Sequence, residues 1–588
     1  MTDYTTPQPT DDSVDDPTGL TRRDALKLSG LTLGGLAVGG PLANLFMGAA
    51  EADNICADAA CACDTDVGCT WTNTNKAQRY SYFEKLPKFY PFADKTVSPS
   101  TIQKLDANAL RITFMGTAVP PRNLAQRMVS IFVEVGWDPQ TNQPLDQFVF
   151  DCGTGSTGCY NSMNVGFSRM NKIFLTHLHA DHTSDLAHIY CFGPSSDRKS
   201  PLWVWGAGRS GVANPRYDGA AANGPPTYED GTADFCANLR DAYRWHSEGF
   251  SFQTTAYTAY PEHAPARDNP DNFGWATDPN DRTRAQRPTR PAGKYGDDPL
   301  NDAYALMAVD LKFDWDAWQP DSHPAPIVAY DNDTTKAKIT AYPVIHDRRG
   351  SIGYKLEWTA PNGDVLSMIF TGDTKPEKLT VEQAGNGGAG VDVLIHEMAV
   401  PPEVWAMKFL RLNDPANVPQ GVVDDTTMVQ NSSHTAPGPF GYLLSQIQPY
   451  PRLTVATHFP TADDTVECAM KSLKAHLPKV YQGERPNTSS DSPRVTWAMD
   501  LMVVTVSKSR IIEQQGAIDP FGYIAWPQQP LSTLTDCNNW ILPKYHVIPP
   551  VDDQCTGDAG DPYAQITTAT AYCACNPDGT CNYSENGY

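Results

Sequence analysis

From about residue 108 onward, apolar residues gather in short runs rich in β-branched and aromatic side chains, and each run closes at a turn. Runs of four to eight such residues read as strands, because branched and flat side chains fit a pleated surface. The pattern predicts strands over 111–115, 130–135, 147–150 and 172–176, then over 338–345, 352–357, 365–370, 391–395, 453–457 and 501–506. Apolar residues recurring at three and four positions predict helices over 234–245, 440–448 and 465–476. Strands outnumber helices and the two alternate. The expected fold class is therefore α/β, with sheets flanked by helices in a four-layer αββα sandwich rather than one doubly wound parallel sheet. Between about 193 and 326 the pattern lapses into Pro, Asp, Asn and Gly. This stretch reads as a long, partly ordered insertion that either roofs a site or elaborates the surface.

The ends differ from this middle. Residues 1–20 are polar and acidic, and Thr21-Arg22-Arg23-Asp24 then precedes a weakly apolar, glycine-rich stretch from Leu28 to Met47. Its glycines and Pro41 make it a poor spanning helix, so no stable membrane span is expected. Paired arginines, a mildly apolar run and small residues at Ala49, Ala50 and Ala52 resemble a twin-arginine export signal. That resemblance implies the twin-arginine export machinery as a partner and a periplasmic or extracellular destination. Cysteine usage agrees with an oxidising compartment. Cys56, Cys61, Cys63 and Cys69 precede the core, and Cys537, Cys555, Cys573, Cys575 and Cys581 follow it, with one spacing, C-x-C-x5-C, at both ends. Disulfides are the first reading of these cysteines, and a thiolate metal or iron–sulfur site is the second. Interior Cys152, Cys159, Cys191, Cys236 and Cys468 read as small buried apolar groups. The expected organisation is an export signal over 1–52, a Cys-rich extension over 53–107, the main domain over 108–510 and a second Cys-rich extension over 511–588.

Charge narrows the partners. Against 45 Lys and Arg stand 68 Asp and Glu, a net charge of −23. A polyanion would be repelled at long range, so general nucleic-acid binding is disfavoured. The strongest chemical signal is His177-Leu178-His179-Ala180-Asp181-His182, immediately after a predicted strand. Four ligand-type residues in six positions rarely serve packing. Alternation puts His177 and His179 on one side of an extended chain, with Asp181 and His182 turning over at its end, so one segment can serve two neighbouring metals.

This order resembles the hallmark of the metallo-β-lactamase superfamily, H-x-H-x-D-H. Phe114-Met115-Gly116-Thr117-Ala118 resembles its opening glycine turn, and Phe150-Asp151-Cys152-Gly153-Thr154-Gly155 its buried aspartate turn that props the ligand loop. Further matches are His346 before Ser351-Ile352-Gly353-Tyr354, Asp373 in Phe370-Thr371-Gly372-Asp373-Thr374, and His458 in Ala456-Thr457-His458-Phe459. The resemblance implies that His177, His179 and His346 hold one metal, that Asp181, His182 and His458 hold another, and that Asp373 bridges them. Imidazole and carboxylate donors suit two divalent ions, Zn2+ first, with Mn2+ or Fe as alternatives. Such a pair lowers the pKa of bound water and clamps the oxygens of an ester, which implies hydrolysis.

Three more segments resemble the ribonuclease Z and arylsulfatase branch: Asp392-Val393-Leu394-Ile395-His396-Glu397-Met398-Ala399, Asn431-Ser432-Ser433-His434-Thr435-Ala436 and Ala498-Met499-Asp500-Leu501-Met502. The branch implies that His434, supported by Glu397 and with His396 beside it, donates a proton to the leaving oxygen, while Asp181 orients or deprotonates water. The chain also departs from that branch. Ribonuclease Z carries a long transfer-RNA arm between its third histidine motif and the bridging aspartate, and only 26 residues separate His346 from Asp373 here. The expected activity is cleavage of a phosphodiester or aryl sulfate in a small-molecule ester. A ribonuclease Z reaction, a lactonase or β-lactamase reaction, and a non-catalytic metal-binding protein are the alternatives.

Overall fold

The computed structural model describes most of residues 104–516, except 121–125, 215–225, 248–265, 289–302, 319–321, 347–348, 413, 462 and 478–492. It also describes the strand pieces Thr96–Val97, Ala574–Cys575 and Cys581–Asn582. The chain divides into two compact units, Met1–Gly40 with Phe83–Ile518, and Pro41–Tyr82 with Asp519–Tyr588. In the second unit, Ala574–Cys575 pairs antiparallel with Cys581–Asn582. The proposed export signal and the terminal cysteines before the core lie outside the described residues.

The first unit contains, in chain order, β1 (Thr96–Val97), β2 (Leu110–Gly116), β3 (Ser130–Val135), β4 (Asp146–Phe150), β5 (Lys172–Phe174), β6 (Leu202–Ala207), β7 (Leu306–Leu311), β8 (Ile327–Asn332), β9 (Ala337–Pro343), β10 (Ile352–Thr359), β11 (Val365–Phe370), β12 (Val393–Glu397), β13 (Leu453–Thr457), β14 (Val495–Trp497), β15 (Met502–Val506) and β16 (Ile511–Gly516). They form a nine-stranded sheet ordered β1-β16-β15-β2-β3-β4-β5-β6-β7 and a seven-stranded sheet ordered β14-β13-β12-β11-β10-β9-β8. The result is the two-sheet α/β architecture that the sequence resemblance implies.

Strand alternation explains the layering. Ile112 and Phe114 of β2, Ile131 and Val133 of β3, and Phe148 and Phe150 of β4 share one apolar cluster with Ile339, Tyr354, Met368 and Ile395 of the other sheet. The intervening residues Met115, Phe132, Val149 and Ile173 join a second cluster with Tyr160, Leu186 and Ile189. These last three lie on helices α1 (Ser156–Ser162) and α3 (Leu186–Phe192), which flank the short ligand-loop helix α2 (Ala180–Thr183). Both faces of these strands are therefore covered, and this is why they read as nearly continuous apolar runs.

Two sequence expectations are corrected here. The stretch expected as a roof or decoration contributes β6, β7 and helix α4 (Thr232–Ala242), and β6 pairs parallel with both β5 and β7. Trp205 of β6 stacks on Phe174 with ring centroids 4.6 Å apart, and Trp203, Phe273, Trp275 and Tyr330 complete the pile. The six-residue run Leu202–Ala207 is a fully buried strand, hidden in the sequence by the Pro-, Asp-, Asn- and Gly-rich stretch it opens. The boundary expected at 510 also moves, because β16 pairs antiparallel with β15 and extends the sheet to Gly516. Similarly, β1, from the expected N-terminal extension, pairs with β16.

Candidate metal centre

β11, β12 and β13 are mutually parallel, and β9 runs the same way because β10 is antiparallel to both β9 and β11. Their carboxyl ends therefore share one edge of the sheet, where ligands commonly collect in α/β proteins. His346 follows β9, Asp373 follows β11, Glu397 ends β12 and His458 follows β13. The ligand loop His177–His182 follows β5 of the other sheet.

Asp151 sets that loop. Its carboxylate accepts from Thr176 N–H and Thr176 Oγ1, each at 2.7 Å, and lies 2.7 Å from His182 Nδ1. Gly153 lets the turn approach: a Cβ there would lie 1.9 Å from the Asp181 carbonyl oxygen. Cys152 N–H donates to the His182 carbonyl at 2.7 Å. On the facing side, Gly372 takes φ +59°, and a Cβ would lie 2.5 Å from Thr176 Cβ.

Three groups of donors converge, each with its ligand atoms within 4.8 Å of one another: His177, His179 and His346; Asp181, His182, Asp373 and His458; and His346, Asp373, Glu397 and His434. His346 Nε2 is 3.2 Å from His179 Nδ1, and His458 Nε2 is 3.2 Å from Asp181 Oδ2. Asp373 sits between the first two groups, with Oδ1 3.4 Å from His182 Nε2 and Oδ2 3.4 Å from His458 Nε2 and 4.0 Å from His346 Nε2. His346 Nδ1 lies 2.8 Å from the Ser433 carbonyl, which orients the ring. His434, the next residue after Ser433, places Nδ1 2.8 Å from Glu397 Oε2, and Thr374 N–H donates to Glu397 Oε1 at 2.5 Å.

The donor set fits cations. His177 Nε2, His182 Nε2 and Asp373 Oδ1 are buried and make no hydrogen bond within the protein, an arrangement that is costly unless something else satisfies them. Burial, with neighbouring imidazoles, pushes His177 well below its ordinary value, into the neutral ligand form. Burial also opposes charge at His182, but Asp373, Asp181 and Asp151 more than reverse it and favour positive charge at that spot. Against the same burial, His182 and His458 hold Asp181 and Asp373 well below the usual carboxylate range. Burial raises Glu397 even though His434 pulls the other way. His179, Asp181 and His434 are only partly buried and form the open side of the cluster.

His396 is the one candidate that the structure does not bring into these groups. Its ring packs edge-on against Phe440, 5.4 Å between centroids, and Nδ1 lies 2.7 Å from the Glu397 carbonyl. Adjacent residues of a strand face opposite ways, so Glu397 pointing into the cluster turns His396 into the core. Cys152, Cys159, Cys191 and Cys236 are free thiols and buried, as packing groups.

No family model matches the chain. Over 61 residues it is 38% identical to Ribonuclease Z of Treponema denticola, a match spanning 10% of this chain and 20% of the relative. Over 301 residues it is 25% identical to Ribonuclease Z of Archaeoglobus fulgidus, spanning 51% of this chain and 78% of the relative. Against most of the curated relatives it matches, the chain spans well under half of the relative's length. Among solved structures, it is similar to the metallo-beta-lactamase fold protein YhfI from Bacillus subtilis, at 12% identity and a TM-score of 0.34, covering 68% of this chain and 100% of that one. The Treponema denticola and Archaeoglobus fulgidus relatives, matched in sequence, are both ribonucleases Z.

Proposed function

We propose that this chain is an exported, dinuclear metal-dependent hydrolase that cleaves a small phosphodiester. The observation that carries the reading is the convergence of seven imidazole and carboxylate donors, from positions 177 to 458, beside His434 paired with the buried Glu397. His177, His179 and His346 would hold one cation, Asp181, His182 and His458 the other, and Asp373 both. Imidazole and carboxylate donors favour zinc, with manganese or iron next. Bound there, two divalent ions supply a nucleophilic water at neutral pH and positive charge against the ester oxygens.

The chain's own residues do the rest. Asp181, on the open side, orients the attacking water and accepts its proton at a carboxylate oxygen. Glu397 accepts the Nδ1–H of His434 and stabilises its imidazolium form, which gives the Nε2 proton to the leaving oxygen and leaves the ring neutral with its proton on Nδ1. His396 has no part in this transfer. The matched relatives are ribonucleases, which supports a phosphodiester over an aryl sulfate. The net charge of −23 and the short segment between His346 and Asp373 support a small ester over transfer RNA. The export reading rests on Arg22-Arg23 and the stretch that follows.

The test is a hydrolysis panel on zinc-loaded protein: a nitrophenyl phosphodiester, a nitrophenyl sulfate, a lactone and a precursor transfer RNA. The diester should turn over fastest. Preferential opening of the lactone or maturation of the transfer RNA would refute the substrate class, and no turnover of any of the four would refute the enzyme.

A further inference from the structure

His458 has a left-handed backbone, φ +55°, directly after β13. A branched-at-Cβ penalty is absent, but a non-glycine residue there still requires its surroundings to hold it. The residues that follow are held by the loop between β2 and β3. Phe459 N–H donates to the Thr117 carbonyl at 3.2 Å. Gln126 Nε2 donates to the Phe459 carbonyl at 2.9 Å, and Gln126 Oε1 accepts from Thr461 N–H at 2.9 Å. One buried side-chain amide thus grips both ends of 459–461, as a neighbouring strand would. Gln126 Nε2 also lies 2.9 Å from Thr117 Oγ1, which donates to Asp500 Oδ1 at 2.9 Å. Arg127 N–H donates to Asp500 Oδ2 at 2.5 Å. Asp500 therefore anchors both ends of the loop that presents Gln126.

We infer that Gln126 is a positioning residue for the Asp181, His182 and His458 half of the metal centre. Its amide clamps 459–461, holds His458 in its left-handed backbone and thereby sets Nε2 against Asp181 and Asp373. The inference rests on the dinuclear reading above. A primary amide suits the task because it donates and accepts from one planar group, and neither alanine nor glutamate can do both.

The experiment uses the full chain as Gln126→Ala and Gln126→Glu beside the parent. Zn2+ affinities are measured by chelator competition, the absorption spectrum is recorded with Co2+, and thermal unfolding is followed without metal. The parent should bind two equivalents. Gln126→Ala should bind the first with parental affinity and the second at least 10-fold more weakly, with an altered Co2+ spectrum and a melting temperature within a few degrees of the parent. Gln126→Glu should fall between them. Unchanged second-site affinity in folded Gln126→Ala would overturn the inference. So would equal weakening of both equivalents, or failure of both variants to fold, either of which marks a purely structural role. A parent binding fewer than two equivalents would sink the dinuclear reading and this inference with it. A parent that binds two ions but cleaves none of the four esters would sink only the proposed reaction.

Discussion

His396 and Glu397 are chain neighbours with opposite environments, and the difference is measurable. Burial pushes His396 down to about 4 from an ordinary 6.5. The unfolded chain therefore takes up a proton near pH 6.5 that the folded chain refuses until about pH 4. Stability from this group is present above pH 6.5 and is lost as pH falls through 4, by at most about 3.5 kcal/mol at ~1.4 kcal/mol per unit. His396→Asn should flatten that portion of the acid dependence, read as urea midpoints between pH 6.5 and 4; parallel decline in parent and variant would contradict the assignment. Asp373 is the converse case, a carboxylate among imidazoles with one oxygen left for a cation. Asp373→Ala should lower bound zinc to one equivalent or less by elemental analysis. Removing an outer partner of a metal ligand costs 10–100-fold, so the loss of turnover should exceed ~100-fold.

Elements place these residues, and two glycines show how differently equal substitutions act. Gly153 lies where the turn after β4 meets the ligand loop, and Gly158 lies inside α1, where an added methyl group would find nothing within 4 Å. Gly153→Ala should push the Asp181 backbone away and reduce zinc retention on dialysis. Gly158→Ala should instead raise stability by about 0.5–1 kcal/mol in urea unfolding, since alanine loses less entropy in a helix. Retained zinc in Gly153→Ala would show that the loop relaxes freely. The predicted strands were legible because their apolar runs end at turns. β6 and α1 were not, the first because its short run lies at the edge of the Pro-, Asp-, Asn- and Gly-rich stretch, the second because seven residues carry too little period to read.

For the whole molecule the governing quantity is a charge of −23, which would repel the anionic ester proposed above as it approached a cation-filled centre. Added salt screens that repulsion, so kcat/KM for an anionic diester should rise between about 10 and 150 mM ionic strength and stay flat for a neutral ester. A steep fall instead would point to a local basic track and favour a polyanionic substrate. The amino-acid order by itself determined the α/β class and named the clustered donors, because ligand spacing after a strand and alternation within it are local properties. Tertiary structure decided which of them meet. It turned His396 away and set Gln126 on the His458 loop, and it drew β6 and β7 into the first sheet. The Gln126 contact joins residues 333 positions apart, for which no local pattern exists to read, and the side of the strand that faces the donors is set only once the sheets pack.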